Sequence, residues 1–267
     1  MPEPMLVLKN IRKSFGTGTV NEKTVLDGLD LTINKGDYVT VIGGNGAGKS
    51  TLMNIITGAA FPDSGSITLD GADITRMSEP RRAQYFGRVF QDPMMGTAPH
   101  MELKENLALA ARRGRRHTLR WELRRGEAES YRAQLARLEL GLEDRLDSKV
   151  GLLSGGQRQA VTLLMATLVR PKMLLLDEHT AALDPKTAAK VLTLTDEIVT
   201  DSGLTTLMVT HNMRDAIAHG NRLIMMRDGA VVLDIAGEEK KKLTVEGLLE
   251  AFSRASGSEF SLDRALL

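Results

Sequence analysis

The feature that most narrows what this chain can be is Gly43-Gly44-Asn45-Gly46-Ala47-Gly48-Lys49-Ser50-Thr51, which follows the apolar run Tyr38 to Ile42 and precedes a helix-like run closed by Gly58. A glycine-rich turn between a strand and a helix lets successive main-chain N–H groups converge on an anion, and the helix N-terminus adds about half a positive charge. Lys49 supplies a mobile cation for β- and γ-phosphates, the Ser50 hydroxyl is placed to ligate Mg²⁺, and Thr51 adds a hydroxyl near the α- and β-phosphates. The reading is therefore a nucleotide triphosphate held mostly by main chain.

A second segment completes such a site. Met173-Leu174-Leu175-Leu176-Asp177-Glu178 is an apolar run ending in two acids. Neighbouring strand side chains face opposite ways, so the two carboxylates take separate tasks. Asp177 is assigned to Mg²⁺, directly or through water, and Glu178 to the γ-phosphate as general base or water orienter.

Composition bounds the remainder. The 267 residues suit one large domain or a core with an appendage. With 42% apolar and 26% charged residues and a net charge of +1, neither disorder nor non-specific nucleic-acid binding is expected. The absence of cysteine excludes disulfides, thiolate metal sites and cysteine nucleophiles. The N-terminus lacks the pattern of a secretory leader, and no apolar run reaches bilayer length, so a cytoplasmic protein is expected.

Along the chain, Leu6 to Leu8, Leu29 to Ile33 and Tyr38 to Ile42 read as tightly joined strands, and Asp70-Gly71 and Asp228-Gly229 as hairpin turns needing positive φ. Met173 to Leu176 and Thr206 to Thr210 read as parallel strands buried on both faces, with a helix over Pro185 to Thr200 between them. Residues 93–150 carry helix-period leucines without strand signals. Within them Arg112, Arg113, Arg115, Arg116, Arg120, Arg124 and Arg125 form a cluster read as a solvated face, with an acidic partner or lipid headgroup as the alternative. The last stretch, with a helix from Thr244 to Arg254, is expected at the periphery.

Leu153-Ser154-Gly155-Gly156-Gln157, with Gln157 twenty positions before Asp177, makes the chain resemble the ATP-binding subunits of ATP-binding-cassette transporters from about Leu6 to Ala236. Ser154 can cap a helix whose glycine-opened N–H groups bind another anion. The resemblance implies an α/β P-loop NTPase core with a mixed sheet, an antiparallel β subdomain and a helical signature-motif subdomain. Its limits are an ATPase domain over 1–240, with the helical part at about 93–165 inserted, and a tail over 241–267.

It further implies that two subunits pair head to tail, so that Ser154 to Gln157 of one cover ATP held on Gly43 to Thr51 of the other. Phe15 is implied to stack on adenine, Gln91 to touch Mg²⁺ or the attacking water, Asp184 to lie in the loop crossing the seam, and His211 to contact the γ-phosphate. The resemblance implies ATP and Mg²⁺ as cofactors. It implies as partners transmembrane permease subunits, a second ATP-binding subunit in a homodimer and an extracytoplasmic substrate-binding protein, with no nucleic acid. The expected location is cytoplasmic, peripheral on the inner face of the cell membrane.

Gly44, His179, Ala160 and Met165 depart from commoner residues of the family without removing a catalytic group. The details around Gln157 to Ala160 and Asp177 to Ala182 resemble a branch associated with uptake of amino acids, aromatic ones among them. The alternatives are an ATPase of an export, lipoprotein-release or cell-wall-regulating complex, a soluble cassette protein acting on nucleic acid, and a small-molecule kinase.

Overall fold

The structure, a computed structural model, describes residues 2–115 and 126–256. The chain forms two compact units, Met1–Arg82 with Gly203–Leu267, and Ala83–Ser202. The first run of unit 1 contains β1 (Pro4–Phe15), β2 (Lys23–Asn34), β3 (Tyr38–Ile42), α1 (Lys49–Thr57), β4 (Ser64–Leu69), β5 (Ala72–Asp73) and α2 (Glu79–Arg82). An antiparallel sheet runs β2-β1-β4-β5. Its inward face changes phase once on each long strand. Leu6 and Leu8 are buried, then Ile11; Leu26 is buried, then Leu29, Leu31 and Ile33. Each change falls at a residue of positive φ, Asn10 (48°) and Gly28 (73°), where one extra residue shifts the alternation by one position and keeps the same face inward.

Unit 2 contains β6 (Phe86–Val89), α3 (Leu103–Ala110), α4 (Glu127–Ala136), a 3₁₀ turn (Val150–Leu152), α5 (Gly155–Leu168), β7 (Met173–Asp177) and α6 (Pro185–Ser202). β6 and β7 pair in parallel, with Phe86 opposite Met173 and Val89 opposite Leu176. Leu103, Leu107, Tyr131, Leu135, Leu138, Ala160 and Val161 share one buried cluster, which is why the leucines at helical spacing in this region form helices rather than strands. The expected insertion at about 93–165 lies inside unit 2, whose limits are 83 and 202.

The chain returns to unit 1 as β8 (Thr205–Val209), α7 (Met213–Ala218), β9 (Arg222–Arg227), β10 (Ala230–Ala236), α8 (Gly237–Lys241) and α9 (Val245–Ser256). β3 lies parallel to both β8 and β9, while β10 is antiparallel to β9. All five residues of β3 and of β8 are buried, as the continuous apolar runs demand. Both Asp-Gly pairs take positive φ, 50° and 78° at Asp70-Gly71 and 49° and 79° at Asp228-Gly229, closing two-residue hairpins.

Two expectations need correcting. The segment after 241 is not merely peripheral, because Leu248 and Phe252 of α9 are buried with Ile42, Met213, Leu223 and Met225. Nor is the arginine cluster uniformly a solvated face. Arg113 is half-buried and donates to the main-chain carbonyls of Ala166 and Val169. Arg116, Arg120, Arg124 and Arg125 lie outside the described residues.

Candidate nucleotide site

In unit 1, β3 delivers the chain to a loop built for close main-chain approach. A Cβ on Gly43 would run into the Met226 carbonyl, and one on Gly48 would meet Leu26 Cδ2 at 2.8 Å, so neither position admits a side chain. Gly48, at φ 98°, opens α1 without a side-chain cap, and the first turn of α1 holds no acid. Its N-terminal amides thus have no built-in anion of their own. Gly44 has open space where a Cβ would go.

Lys49 is buried, and its Nζ donates to the carbonyls of Gly43 at 2.7 Å and Gly44 at 3.3 Å. The ammonium is folded over the same loop whose amides would meet phosphate. Ser50 is exposed and Thr51 half-buried at the helix start, Asn45 and Gly46 are exposed, and Ala47 is buried.

Phe15 ends β1, 47% exposed, opposite Lys23 of β2. The Lys13 ammonium lies 5.4 Å from its ring centroid. The Asp63 carboxylate accepts from Lys13 Nζ at 2.8 Å and from the Ser14 amide at 2.6 Å, fixing the strand end next to the ring. These hydrogen bonds, that from Lys13 first, hold the Asp63 carboxyl below the usual range.

His211 follows β8 on the strand adjacent to β3. The Thr210 amide donates to the Val41 carbonyl at 3.0 Å, so the two chains run side by side to where Gly43 starts the loop. Asn212 then caps α7 by accepting from Arg214 and Asp215 amides. Burial raises the Asp215 carboxyl, against the opposing pull of His219 and His211.

In unit 2, Asp177 ends β7 and accepts from Arg88 Nη2 of β6 at 3.2 Å. Glu178 takes φ 46°, uncommon for a residue with a side chain and a conformation that costs of order 1–3 kcal/mol. The strand is therefore broken at the carboxylate assigned to the water. Behind it His179 is buried, with Nε2 3.2 Å from Thr195 Oγ1. That hydroxyl donates its proton to the Val191 carbonyl, so His179 is the donor to it.

Ser154 caps α5 through a capping box: its Oγ accepts from the Gln157 amide at 3.2 Å, and Gln157 Oε1 accepts from the Ser154 amide at 3.1 Å. Ser154 and Gly155 are exposed. Gly156 is buried against Thr187, and the Gln157 amide group also donates to the Leu140 carbonyl. The outward part of the signature is thus its serine and first glycine. Gln91 is exposed one residue beyond Phe90, whose carbonyl accepts from Gln159 Nε2. Asp184 is exposed and caps α6, its carboxyl held low by Thr187.

Sequence reasoning missed Arg88 and Gln159. Arg88 carried a legible signal, a basic residue in a run that pairs with an acid-ended one; Gln159 is visible only once strand and helix are assembled.

The chain matches the ABC transporter family over residues 26–181, and it belongs to that family. It is 49% identical to the tyrosine transport ATP-binding protein of Clostridioides difficile strain R20291 over 94% of this chain and 100% of that protein. It is 34% identical to the spermidine/putrescine import ATP-binding protein PotA of Haemophilus influenzae over 87% of this chain, spanning 58% of that relative. Among solved structures, a dimeric ATP-binding cassette in a post-hydrolysis state bound to ADP and Pi superposes with a TM-score of 0.73 at 30% identity, covering 87% of this chain and 98% of that one. The protein is an ATP-hydrolysing subunit with the P-loop NTPase fold, the kind that works in dimers with membrane permeases. Among the described residues no helix is long and apolar enough to cross a membrane.

Proposed function

We propose that two copies of this chain close head to tail on two ATP molecules, hydrolyse them and reopen, driving a permease for uptake of an amino acid, aromatic ones first. The observation that carries the site is the uncapped start of α1, with the buried Lys49 ammonium folded over the Gly43 and Gly44 carbonyls. The nearly full-length likeness to a tyrosine transport protein supports the cargo class.

The chemistry is in-line attack of water on the γ-phosphate, with positioning and electrostatics supplying most of the acceleration. Lys49 leaves the loop carbonyls for the β- and γ-phosphates. Glu178 orients the water and takes its proton, and His211 and the partner copy's signature serine meet the developing charge. Phe15 stacks on the base. The oxygen donors of Ser50, Gln91 and Asp177 are the hard ligands that magnesium prefers. Bound there, Mg²⁺ would neutralise phosphate charge.

Asp184 lies at the seam, and Met94 and Met95, 39% and 70% exposed, offer an adaptable surface to a permease helix. An extracytoplasmic binding protein selects the cargo, and the chain sits at the inner face of the membrane. The direct test is uptake of labelled amino acids in cells carrying the wild-type or the Lys49→Ala chain. Loss of tyrosine or related uptake in the variant is expected. Unchanged uptake of every common amino acid rejects the cargo class and leaves export or a cell-wall role.

A further inference from the structure

A loop that grips phosphate is placed no better than the far end of the helix it starts. α1 has nine residues, and the carbonyls of its last turn lack partners within the helix. Arg82, fully buried, answers them. Its Nη1 donates to the carbonyls of Ile55 at 2.6 Å and Ile56 at 2.9 Å, Nη2 to Thr75 at 3.0 Å, and Nε to Met77 at 2.8 Å. Gly58, capping the helix at φ 84°, makes the room: a Cβ there would stand 3.0 and 3.1 Å from Arg82 Nε and Cδ.

One guanidinium thus ties the end of α1 to the turn after β5. Burial holds this group below the ordinary arginine range, the sign of a desolvation cost. Leucine or methionine would avoid that cost but leave the four carbonyls without their donor.

In unit 2 the helix that starts at Ser154 ends the same way. Arg113 donates to the carbonyls of Ala166 at 2.8 Å and Val169 at the last turn of α5. We propose that Arg82 and Arg113 are positioning residues, each fixing from behind a helix whose N-terminus faces phosphate. This rests on the nucleotide reading of Lys49 and Ser154 given above. The action is geometric, since the field of a terminal charge fades within about one turn. Four bonds in a rigid fork set the depth and tilt of α1, which lysine, a single point of charge, does not reproduce.

The test compares wild-type, Arg82→Lys, Arg113→Lys and Lys49→Ala chains. It combines melting temperature, titration of the isolated chain with Mg·ATP well below melting, and steady-state hydrolysis. Arg82→Lys is expected to weaken nucleotide binding and raise KM about tenfold, within the roughly 100-fold that small misplacements can cost. Arg113→Lys is expected to bind nucleotide as the wild type does while kcat falls about tenfold, because its helix acts on the partner's nucleotide.

Lower melting temperatures with unchanged binding and turnover overturn the proposal, leaving both arginines structural. One readout needs no variant: Mg·ATP should slow amide exchange at Gly58 and Ala60, which donate to the Asn54 carbonyl, and unaltered exchange there overturns the Arg82 half. If Lys49→Ala binds as tightly as wild type, the nucleotide reading itself has failed and takes the proposal with it.

Discussion

Gln159 Nε2 donates to the Phe90 carbonyl at 3.1 Å, joining the helix that begins at Ser154 to the strand end that carries Gln91. Both groups belong to unit 2, and the Gln159 side chain is fully buried. Removing it leaves the part-buried Phe90 carbonyl unanswered but also removes Gln159 Oε1, which is buried without a hydrogen-bond partner, so the net cost is under about 1 kcal/mol. Gln159→Leu is expected to lower stability by no more than that in chemical denaturation and to reduce hydrolysis more than it reduces nucleotide binding. Equal losses in both would show that the link is only structural.

Ser154→Ala removes the cap of α5, worth about 1 kcal/mol. Because the serine is exposed and is proposed to act on the partner's nucleotide, the isolated chain should bind Mg·ATP as the wild type does while turnover falls. Titration and steady-state hydrolysis read the two effects separately; impaired binding to the isolated chain would place Ser154 on the wrong nucleotide.

Phe15→Ala should weaken ATP binding by about 1–3 kcal/mol, the usual worth of a base stacked on an aromatic ring. Binding of inorganic triphosphate should not change. A variant that loses affinity for both would mean the ring supports the strand end rather than the base.

The pH dependence of that strand end follows from Asp63. Its carboxyl is held below 3.8 in the folded chain, chiefly by Lys13. The contribution is therefore complete above the unfolded value and lost as pH falls through the lower folded one. Asp63→Asn should be less stable at pH 7 by under about 1 kcal/mol, since exposed pairs are weak. The difference from wild type should vanish below the folded value; a difference that persisted in acid would point to packing.

Much of this was written locally in the chain. The loop at Gly43, the apolar runs of β3, β7 and β8 and the two Asp-Gly turns each contain their own physical reason, so they are legible without the fold. The phase changes at Asn10 and Gly28 were not, because a bulge is recognised by which residues end up opposite each other. Arg82 and Arg113 escaped for the same reason. Each answers carbonyls brought to it by other segments, and one of them sits inside an arginine run whose composition suggests solvent, an acidic partner or lipid headgroups. The buried face of α9 is a similar case, since an amphipathic helix near a chain end does not reveal what it packs on.

The central claim is a nucleotide shared between two copies, and the most direct measurement is the mass in solution of the Glu178→Gln chain at saturating Mg·ATP. Light scattering should give about twice 29.1 kDa with nucleotide and the single-chain mass without it, at a hydrolysis rate reduced about 10²–10⁴-fold. A chain that binds ATP tightly yet stays at 29.1 kDa, or one that turns over at the wild-type rate, would contradict the account.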